Sequence, residues 1–224
     1  MKKIVLFSLI ALLLIPAGVA NNGPFRFGLK ASPSIAWLRP ETRGYESEGI
    51  RIGLSYGIVG EYSLGEFYAL AGGLQISSFG GSLSYQHVNE EGQEGFLERV
   101  YRLRYLEIPV ALKMHTQEIG YLTYYGKFGF SPGMNIRARG DDTFRPGEEP
   151  DQEDVDIKSD VTFFRLALVI GVGAEYSLGG RTALVGGLTF NNGFTNVLSG
   201  RNQVTNAKHS AVSNYLELTL GVMF

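Results

Sequence analysis

The sequence predicts an all-β fold: a closed eight-stranded antiparallel β-barrel of the up-and-down type. Three observations lead to this prediction. Long segments alternate apolar with small or polar residues, connections are alternately short and long, and the chain combines 30 glycines with 12% aromatic residues. Alternation with period two is the pattern of a strand whose two faces differ chemically. Frequent glycine suits turns and close backbone approach in β-structure.

The first twenty residues have the pattern of a secretory signal peptide. The basic start MKK precedes the apolar run IVLFSLIALLLI, Pro16 and small residues that end at Ala20. This pattern predicts cleavage after Ala20, which removes residues 1–20 and leaves one domain, 21–224. An N-terminal membrane anchor is the alternative, but the apolar run is shorter than the roughly 20 residues of a spanning helix.

Composition excludes several other classes of protein. The chain has no cysteine, so it forms no disulfide or thiolate metal site and carries no lipoprotein anchor. Its net charge of −2 and its lack of a basic run give no reason to expect nucleic acid. We expect neither a metal ion nor a cofactor.

Eight strands follow in order, and the alternation is clearest in the second, sixth and eighth. LSYGIVGEY places Leu54, Tyr56 and Ile58 on one face. FRLALVIGVGAEY and NYLELTLGVMF likewise alternate bulky residues with small or polar ones. The predicted strands are 25–38, 50–63, 67–79, 99–115, 121–136, 161–177, 181–193 and 212–224.

The predicted connections fall into two classes. Those after strands two, four and six are short (SLGE, TQEIG and SLGG), whereas those after strands one, three, five and seven are long and polar. This regular asymmetry is typical of a transmembrane barrel in the bacterial outer membrane, and eight strands is a common small size. With an even number of strands, both termini lie at the short-turn side, which is expected to be periplasmic.

A repeat supports the strand count. EYSLG occurs at 61–65 and again at 175–179, 114 residues later, and each copy leads to a similar run, ALAGGL or ALVGGL. Both copies fall at short turns, after the second and sixth strands. The repeat unit therefore corresponds to four strands, and duplication of half a barrel is its interpretation.

The bulky apolar face is predicted to contact lipid. The opposite face carries mostly glycine, alanine and serine with isolated charges, which suits the narrow interior of an eight-stranded barrel. Two aromatic girdles are expected, Phe25, Phe27, Tyr62, Tyr68, Tyr121 and Tyr176 near the short turns, and Trp37, Phe79, Tyr101 and Phe164 near the long loops. The terminal aromatic Phe224 resembles the signal that outer-membrane assembly machinery reads. The alternative is a soluble lipocalin-like carrier with its apolar face inward.

The same alternation predicts a network of charged side chains in the lumen: Arg26, Lys30, Glu61, Glu107, Lys113, Lys127, Arg165, Glu175 and Glu217. Buried charges are costly unless paired, so we expect ion pairs. Depth along the strands pairs Glu107 with Lys127 and Lys30 with Glu217. It also places Glu61 and Glu175 at the same depth, where they require Arg26, Lys113, a cation or a shared proton between them. The hypothesis is a structural plug; a gated proton or ion path is the alternative.

Several stretches resemble the PorT-like outer-membrane β-barrel family. They are YLEIPVALKM (105–114), GLKASPSIAW with its inward lysine, and GVGAEYSL. The resemblance covers the mature chain and implies an eight-stranded barrel in the outer membrane of a Gram-negative bacterium. Some members assist a protein-secretion apparatus. Pro109 fits the family pattern, although proline removes a ladder hydrogen bond, so we expect a bulge or a water there.

No segment predicts catalysis. His87 and His209 fall in long loops and His115 at a short turn, and the adjacency of His209 and Ser210 is no evidence of a dyad. The acidic stretch 141–160 lacks the ordered spacing of a calcium loop, so a mobile solvated loop is expected. Arg99, Arg102 and Arg104, with neighbouring tyrosines, either meet lipid A phosphates or belong to a strand that extends beyond the membrane.

The sequence therefore predicts a monomeric, non-enzymatic barrel whose outer loops carry its function. Expected partners are outer-membrane lipid and lipopolysaccharide, the barrel-assembly machinery and a protein at the loops. The alternatives are an enzyme that acts on outer-membrane lipid and a pore.

Overall fold

The computed structural model describes residues 23–88, 92–145 and 152–224. The predicted signal peptide and its cleavage site lie outside these residues. The strands are β1 (Phe25–Pro40), β2 (Tyr45–Ser63), β3 (Tyr68–Val88), β4 (Glu94–Glu107), β5 (Val110–His115), β6 (Leu122–Arg145), β7 (Gln152–Asp156), β8 (Phe164–Gly179), β9 (Thr182–Gly193) and β10 (Ala211–Met223). A 3-10 turn spans Lys158–Asp160. No helix in the described ranges is long and apolar enough to cross a membrane.

The strands close into a ring of eight antiparallel members. β4 and β5 form one member, because both pair with β3 on one side and β6 on the other. The first and last strands close the ring, with Gly28 opposite Met223, and each remaining member pairs with its neighbours along the chain apart from the outlying β7. The predicted fold class, a closed up-and-down barrel of eight strands, is confirmed.

Pro109 causes the gap between β4 and β5. It has no N–H to donate to the ladder, and regular strand structure stops at Glu107 and resumes at Val110. The neighbouring Ile108 N–H still donates to the Pro132 carbonyl across the gap, at 2.9 Å. The strand therefore tolerates the proline by a local interruption that keeps its register with β6.

The two ends of the barrel differ. The short-turn end contains connections 64–67, 116–121 and 180–181, and Gly180 has a φ of 62°, a conformation that favours glycine. The long-loop end contains 41–44, 92–93, 194–210 and the described residues between β6 and β8.

The long connections are shorter in the structure than the sequence predicts, because two strands continue beyond their predicted ends. β3 continues to Val88 rather than 79, and β6 continues to Arg145 rather than 136. Most of the described residues of the acidic stretch 141–160 consequently belong to the paired ends of β6 and β7 and to the 3-10 turn that follows, rather than to an irregular loop. Beyond the apolar belt both faces of a strand can be polar, so alternation disappears although ladder hydrogen bonds continue.

The bulky apolar side chains point away from the barrel axis. Ile58 is 55% exposed and Leu220 50% exposed, whereas the inward-facing Ser32 and Ser77 are fully buried. The carrier alternative required the reverse arrangement and is wrong. Glycine permits the narrow interior: a Cβ at Gly57 would clash with the backbone of β3.

Two residues of the predicted long-loop girdle lie inside the barrel instead. Phe79 and Tyr101 are each 2% exposed and belong to an apolar core in the long-loop half. Phe164 faces outward as predicted, at 48% exposure, and Trp37 stacks on Phe190 at 6.1 Å between ring centroids. The parity that brings Glu107 inward also brings Tyr101 inward, since both residues have odd numbers on β4.

Candidate functional site: the layered lumen and the long-loop end

Nearest the short-turn end, four charged side chains cross the lumen; we name Arg26, Glu61, Lys113 and Glu175 the lower ionic layer. Lys113 Nζ lies 2.6 Å from Glu61 Oε1 and also pairs with Glu175. Arg26 lies 2.9 Å from Glu175 and 3.7 Å from Glu61. The two glutamates of the EYSLG repeat thus share two cations, supplied by strands β1 and β5.

Lys30 and Glu217 form the next pair. Lys30 Nζ lies 3.3 Å from Glu217 Oε1, with both side chains nearly buried. Backbone register sets Lys30 opposite Gly221 and Glu217 opposite Ser34, so the lysine reaches along the lumen to its partner.

The predicted pair of Glu107 and Lys127 does not form. Register places Lys127 opposite Lys113, whereas Glu107 lies opposite Gly133, six residues farther from the turn. Six residues correspond to about 20 Å along a strand. Lys127 has no ion-pair partner within the described ranges, and a Cβ at Gly171 would lie 2.5 Å from its Cε, so the absence of that Cβ makes room for it.

Glu107 instead pairs with Arg165. We name these two residues the middle ionic layer. Arg165 Nη1 donates to Glu107 Oε1 at 2.7 Å, and neither side chain is exposed. The other carboxylate oxygen accepts hydrogen bonds from three neutral groups, on Gln75 (2.8 Å), Ser77 (2.7 Å) and Tyr215 (2.8 Å).

Ser213 holds the rest of the Arg165 guanidinium, through its hydroxyl at 2.7 Å and its carbonyl at 3.1 Å. The layer therefore satisfies its charges internally, as buried ion pairs require.

An aromatic cluster lies directly above this layer. Phe79 stacks on Tyr105 (5.3 Å) and Tyr215 (5.2 Å), and the Arg165 guanidinium lies 4.8 Å from the centre of the Phe79 ring. Cations are attracted to aromatic faces, so the rings stabilise the buried arginine as well as fill space. This cluster was not predicted from the sequence, although Phe79 on β3 and Tyr105 on β4 occupy inward-facing positions of the alternation.

A cavity of about 80 Å³ separates the lower ionic layer from the middle ionic layer. Lys30, Gln75, Lys113, Lys127 and Glu217 are among the residues that line it. Its volume is large enough for several water molecules, and its lining supplies the polar partners that such waters need. A second cavity, of about 300 Å³, lies at the short-turn end, and Lys113 lines both. The lower ionic layer thus stands between the mouth of the barrel and its interior.

A third ionic group caps the aromatic core at the long-loop end. Arg99 makes a bidentate contact with Asp142, at 2.6 Å and 2.5 Å, and lies 2.9 Å from Asp160. Bidentate arginine–carboxylate pairs combine strength with fixed geometry. The bidentate pair joins β4 to β6, and the contact with Asp160 adds the segment after β7.

The connection between β9 and β10 is held down by His209. Tyr45 Oη and His209 Nδ1 form a hydrogen bond of 2.7 Å, in which the hydroxyl donates when Nδ1 is unprotonated, and Asn202 donates to the Tyr45 oxygen at 3.0 Å. The His209 ring also packs edge-on against Tyr85. Burial lowers the pKa of His209, which favours the neutral ring that this acceptor role needs.

The adjacent serine takes no part in this arrangement. Ser210 Oγ donates to Glu41 Oε2 at 3.0 Å, so Ser210 and His209 face different partners. His115 lies on β5 at the short-turn end, and His87 packs against Phe144 at the other end. Over the described residues, no group of three or more His, Asp or Glu side chains is placed to hold a metal ion.

Comparison with known proteins relates this architecture to a family of sequences and to solved structures. The sequence model described as "Outer membrane protein beta-barrel domain" matches residues 19–199. Comparison with curated proteins finds no significant match. Among solved structures, Neisserial surface protein A aligns over 90% of this chain and 96% of its own, with 14% identity and a TM-score of 0.51. OprG from Pseudomonas aeruginosa aligns over 92% and 99%, with 10% identity and a TM-score of 0.46.

The first of these structural likenesses supports the fold alone, whereas the match to the family covers most of the sequence. The chain is therefore a member of the family of outer membrane proteins with this β-barrel domain, and it is located in the bacterial outer membrane.

Proposed function

We propose that the protein is a monomeric, non-enzymatic barrel that acts as a rigid scaffold and presents its long-loop end to partners. The observation that carries this proposal is the filled lumen. Two ionic layers, the aromatic core and the Arg99 cap follow one another along the axis. A lumen filled with paired side chains opposes solute passage, which leaves the long-loop end as the surface for recognition.

The proposed orientation places the short-turn end in the periplasm and the long-loop end outside the cell. The signal peptide would be removed after Ala20, leaving 21–224 as the barrel domain. Phe224 would serve as the signal to the assembly machinery. In support, its backbone pairs with Phe27 on β1 (N–H to carbonyl, 2.7 Å) and its ring lies beside that of Phe27.

Membership of the PorT-like family is part of the proposal. Its most specific stretch, YLEIP, supplies three of the lumen's features: inward Tyr105, the central Glu107 and the strand interruption at Pro109. This family would give the scaffold a role as an accessory to secretion or in envelope stability, with lipopolysaccharide and a protein as partners of the loops.

Orientation can be tested directly because the native chain has no cysteine. A single cysteine at Thr205, in the β9–β10 connection, should react with a membrane-impermeant maleimide on intact cells. A matched cysteine at Glu118, in a short turn, should react only after the outer membrane is permeabilised. The reverse pattern would overturn the proposed orientation.

The closed lumen has its own test. The purified protein in a planar lipid bilayer should give no discrete conductance steps, whereas steady ohmic steps would support the pore. An enzyme would reveal itself by a changed lipid A profile after overexpression. Unchanged lipid A is the expected result.

A further inference from the structure

Two arginine pairs lie side by side on the outer face of β4 and β6 at the long-loop end. Backbone register sets Arg102 opposite Arg139 and Arg104 opposite Arg137. Like charges directly opposite each other on neighbouring strands destabilise a sheet unless an anion offsets them. The two pairs differ in how this repulsion is met.

Carboxylates from the β6–β7 hairpin neutralise the pair farther from the membrane. Arg102 pairs with Asp141 and lies 3.3 Å from Asp154. Arg139 lies 3.8 Å from Asp156 and donates to the Asp154 carbonyl at 3.0 Å. The protein itself thus supplies the anions for this pair.

The pair nearer the membrane lacks such neutralisation. Arg104 is exposed, and its Nε donates to Ser78 Oγ at 3.2 Å; it has no ion pair with any described residue. Arg137 is also exposed, and its carboxylate contact is a long one, 3.8 Å to Asp154. Two guanidinium groups therefore face outward with most of their donors available.

Both arginines stand at the upper edge of the apolar belt. The residues that follow toward the short-turn end on the same face include Ile108, in the gap after β4, and Met134 on β6, both exposed apolar side chains. A register shift beside Arg104 also turns Ile136 and Arg137 outward in succession. The guanidinium groups thus lie where acyl chains give way to headgroups.

We propose that Arg104 and Arg137 form a binding site for a phosphate group of the outer-leaflet glycolipid, the lipid A part of lipopolysaccharide. Arginine presents a planar fork of donors that matches phosphate oxygens, and two opposed arginines would share one dianionic group. The position at the edge of the belt selects a lipid-borne phosphate over a free one. This inference rests on the proposed orientation, in which the long-loop end meets the outer leaflet.

The test compares the native full-length barrel with three double variants. Purified protein in detergent is titrated with lipid A that carries its phosphates and with the same lipid after enzymatic dephosphorylation. We expect the native protein to prefer the phosphorylated form, and Arg104→Gln with Arg137→Gln to weaken its binding by at least about 10-fold, the effect of losing charge-assisted hydrogen bonds.

The matched control is Arg102→Gln with Arg139→Gln. It removes the same formal charge two register positions away, from arginines whose anions are internal, and should weaken binding less than about threefold. The lysine variant, Arg104→Lys with Arg137→Lys, should recover part of the affinity because it keeps charge but loses the planar fork. The heat-dependent shift in gel mobility checks that each variant is folded.

Three results would overturn the assignment: equal binding of dephosphorylated lipid A, equal losses in the two glutamine variants, or equally tight binding to phosphatidylglycerol. Cysteine labelling at Thr205 reports the orientation separately. Wrong orientation together with an intact phosphate preference would contradict the proposed function, whereas correct orientation without that preference would contradict this site alone.

Discussion

Arg165 and Glu107 form a 2.7 Å ion pair at the centre of the barrel, with neither side chain exposed to solvent. Their strands, β8 and β4, are not neighbours in the ring, because β6 lies between them. The pair therefore fixes the distance between β4 and β8 across the lumen, because no ladder of backbone hydrogen bonds joins these two strands. It also joins the polar lower half of the interior to the aromatic upper half, through Phe79.

Removing one member of this pair should destabilise the barrel strongly. Arg165→Met leaves Glu107 buried with neutral donors only, and we expect a loss of about 3–5 kcal/mol in the free energy of unfolding. Urea unfolding in phospholipid vesicles, followed by the fluorescence of Trp37, the single tryptophan, measures this loss. Glu107→Gln with Arg165→Met should cost less than the sum of the two single changes, because the partners are coupled. Strict additivity would contradict an energetic pair.

The lower ionic layer gives a second prediction, in which two similar glutamates respond differently. Lys113→Met should cost about 3 kcal/mol, since it removes the cation closest to both carboxylates. Glu175 retains Arg26 at 2.9 Å, but Glu61 retains it only at 3.7 Å. Adding Glu61→Gln to Lys113→Met should therefore recover more stability than adding Glu175→Gln. The same urea titration ranks the two double variants, and the opposite ranking would contradict the geometry.

Period and parity predicted the strands and their faces because the lipid belt forces one face to be apolar. Depth measured from short turns placed Glu61 and Glu175 at one level, and Lys113 lies between them in the structure. The same measure mispaired Glu107, whose partner Arg165 is two ring members away. Contacts across a lumen depend on strand tilt and side-chain reach, which local pattern does not contain.

The aromatic core and the long hairpins were missed for a different reason. Phe79 and Tyr101 are assigned to the predicted girdle because they are aromatic and lie near the long loops. Their positions in the alternation place both side chains inside the barrel, where they are buried. Above the belt, alternation ends while strands continue to Val88 and Arg145. Alternation in the sequence shows that the two faces of a strand have different environments. It therefore cannot detect a strand whose two faces are chemically similar.

Glycines on the inner face should resist substitution where the backbones come close. A Cβ at Gly57 would clash with the Leu74 carbonyl oxygen and lie 2.6 Å from Gln75 Cα, so Gly57→Ala forces a backbone shift. We expect a loss of about 1–3 kcal/mol, typical of overpacking. Gly186→Ala is the matched control, because a Cβ there meets no atom within 4 Å. Similar urea midpoints for the two variants would contradict steric restriction at Gly57.

The last prediction concerns acid release of the β9–β10 connection, residues 194–210, through His209. Burial holds the pKa of His209 below its ordinary value of about 6.5. A hydrogen bond with the Arg201 backbone and the charge of Asp160 act in the opposite direction, and the charges of Arg99 and His87 lower the pKa further. The docked connection therefore binds fewer protons than the released one between the docked pKa and about 6.5. Docking stability is fully present above that range and decreases as the pH falls through it.

Protonation also removes the acceptor for the Tyr45 hydroxyl, so acid should release the connection locally while the barrel stays closed. Hydrogen exchange of amides in 194–210, corrected for the intrinsic effect of pH, should show protection that decreases below about pH 6.5. His209→Gln should remove most of this pH dependence. Tyr45→Phe should lower protection at neutral pH, because the neutral ring then has no donor at Nδ1. A native pH profile in the His209→Gln variant would assign the titration to another group.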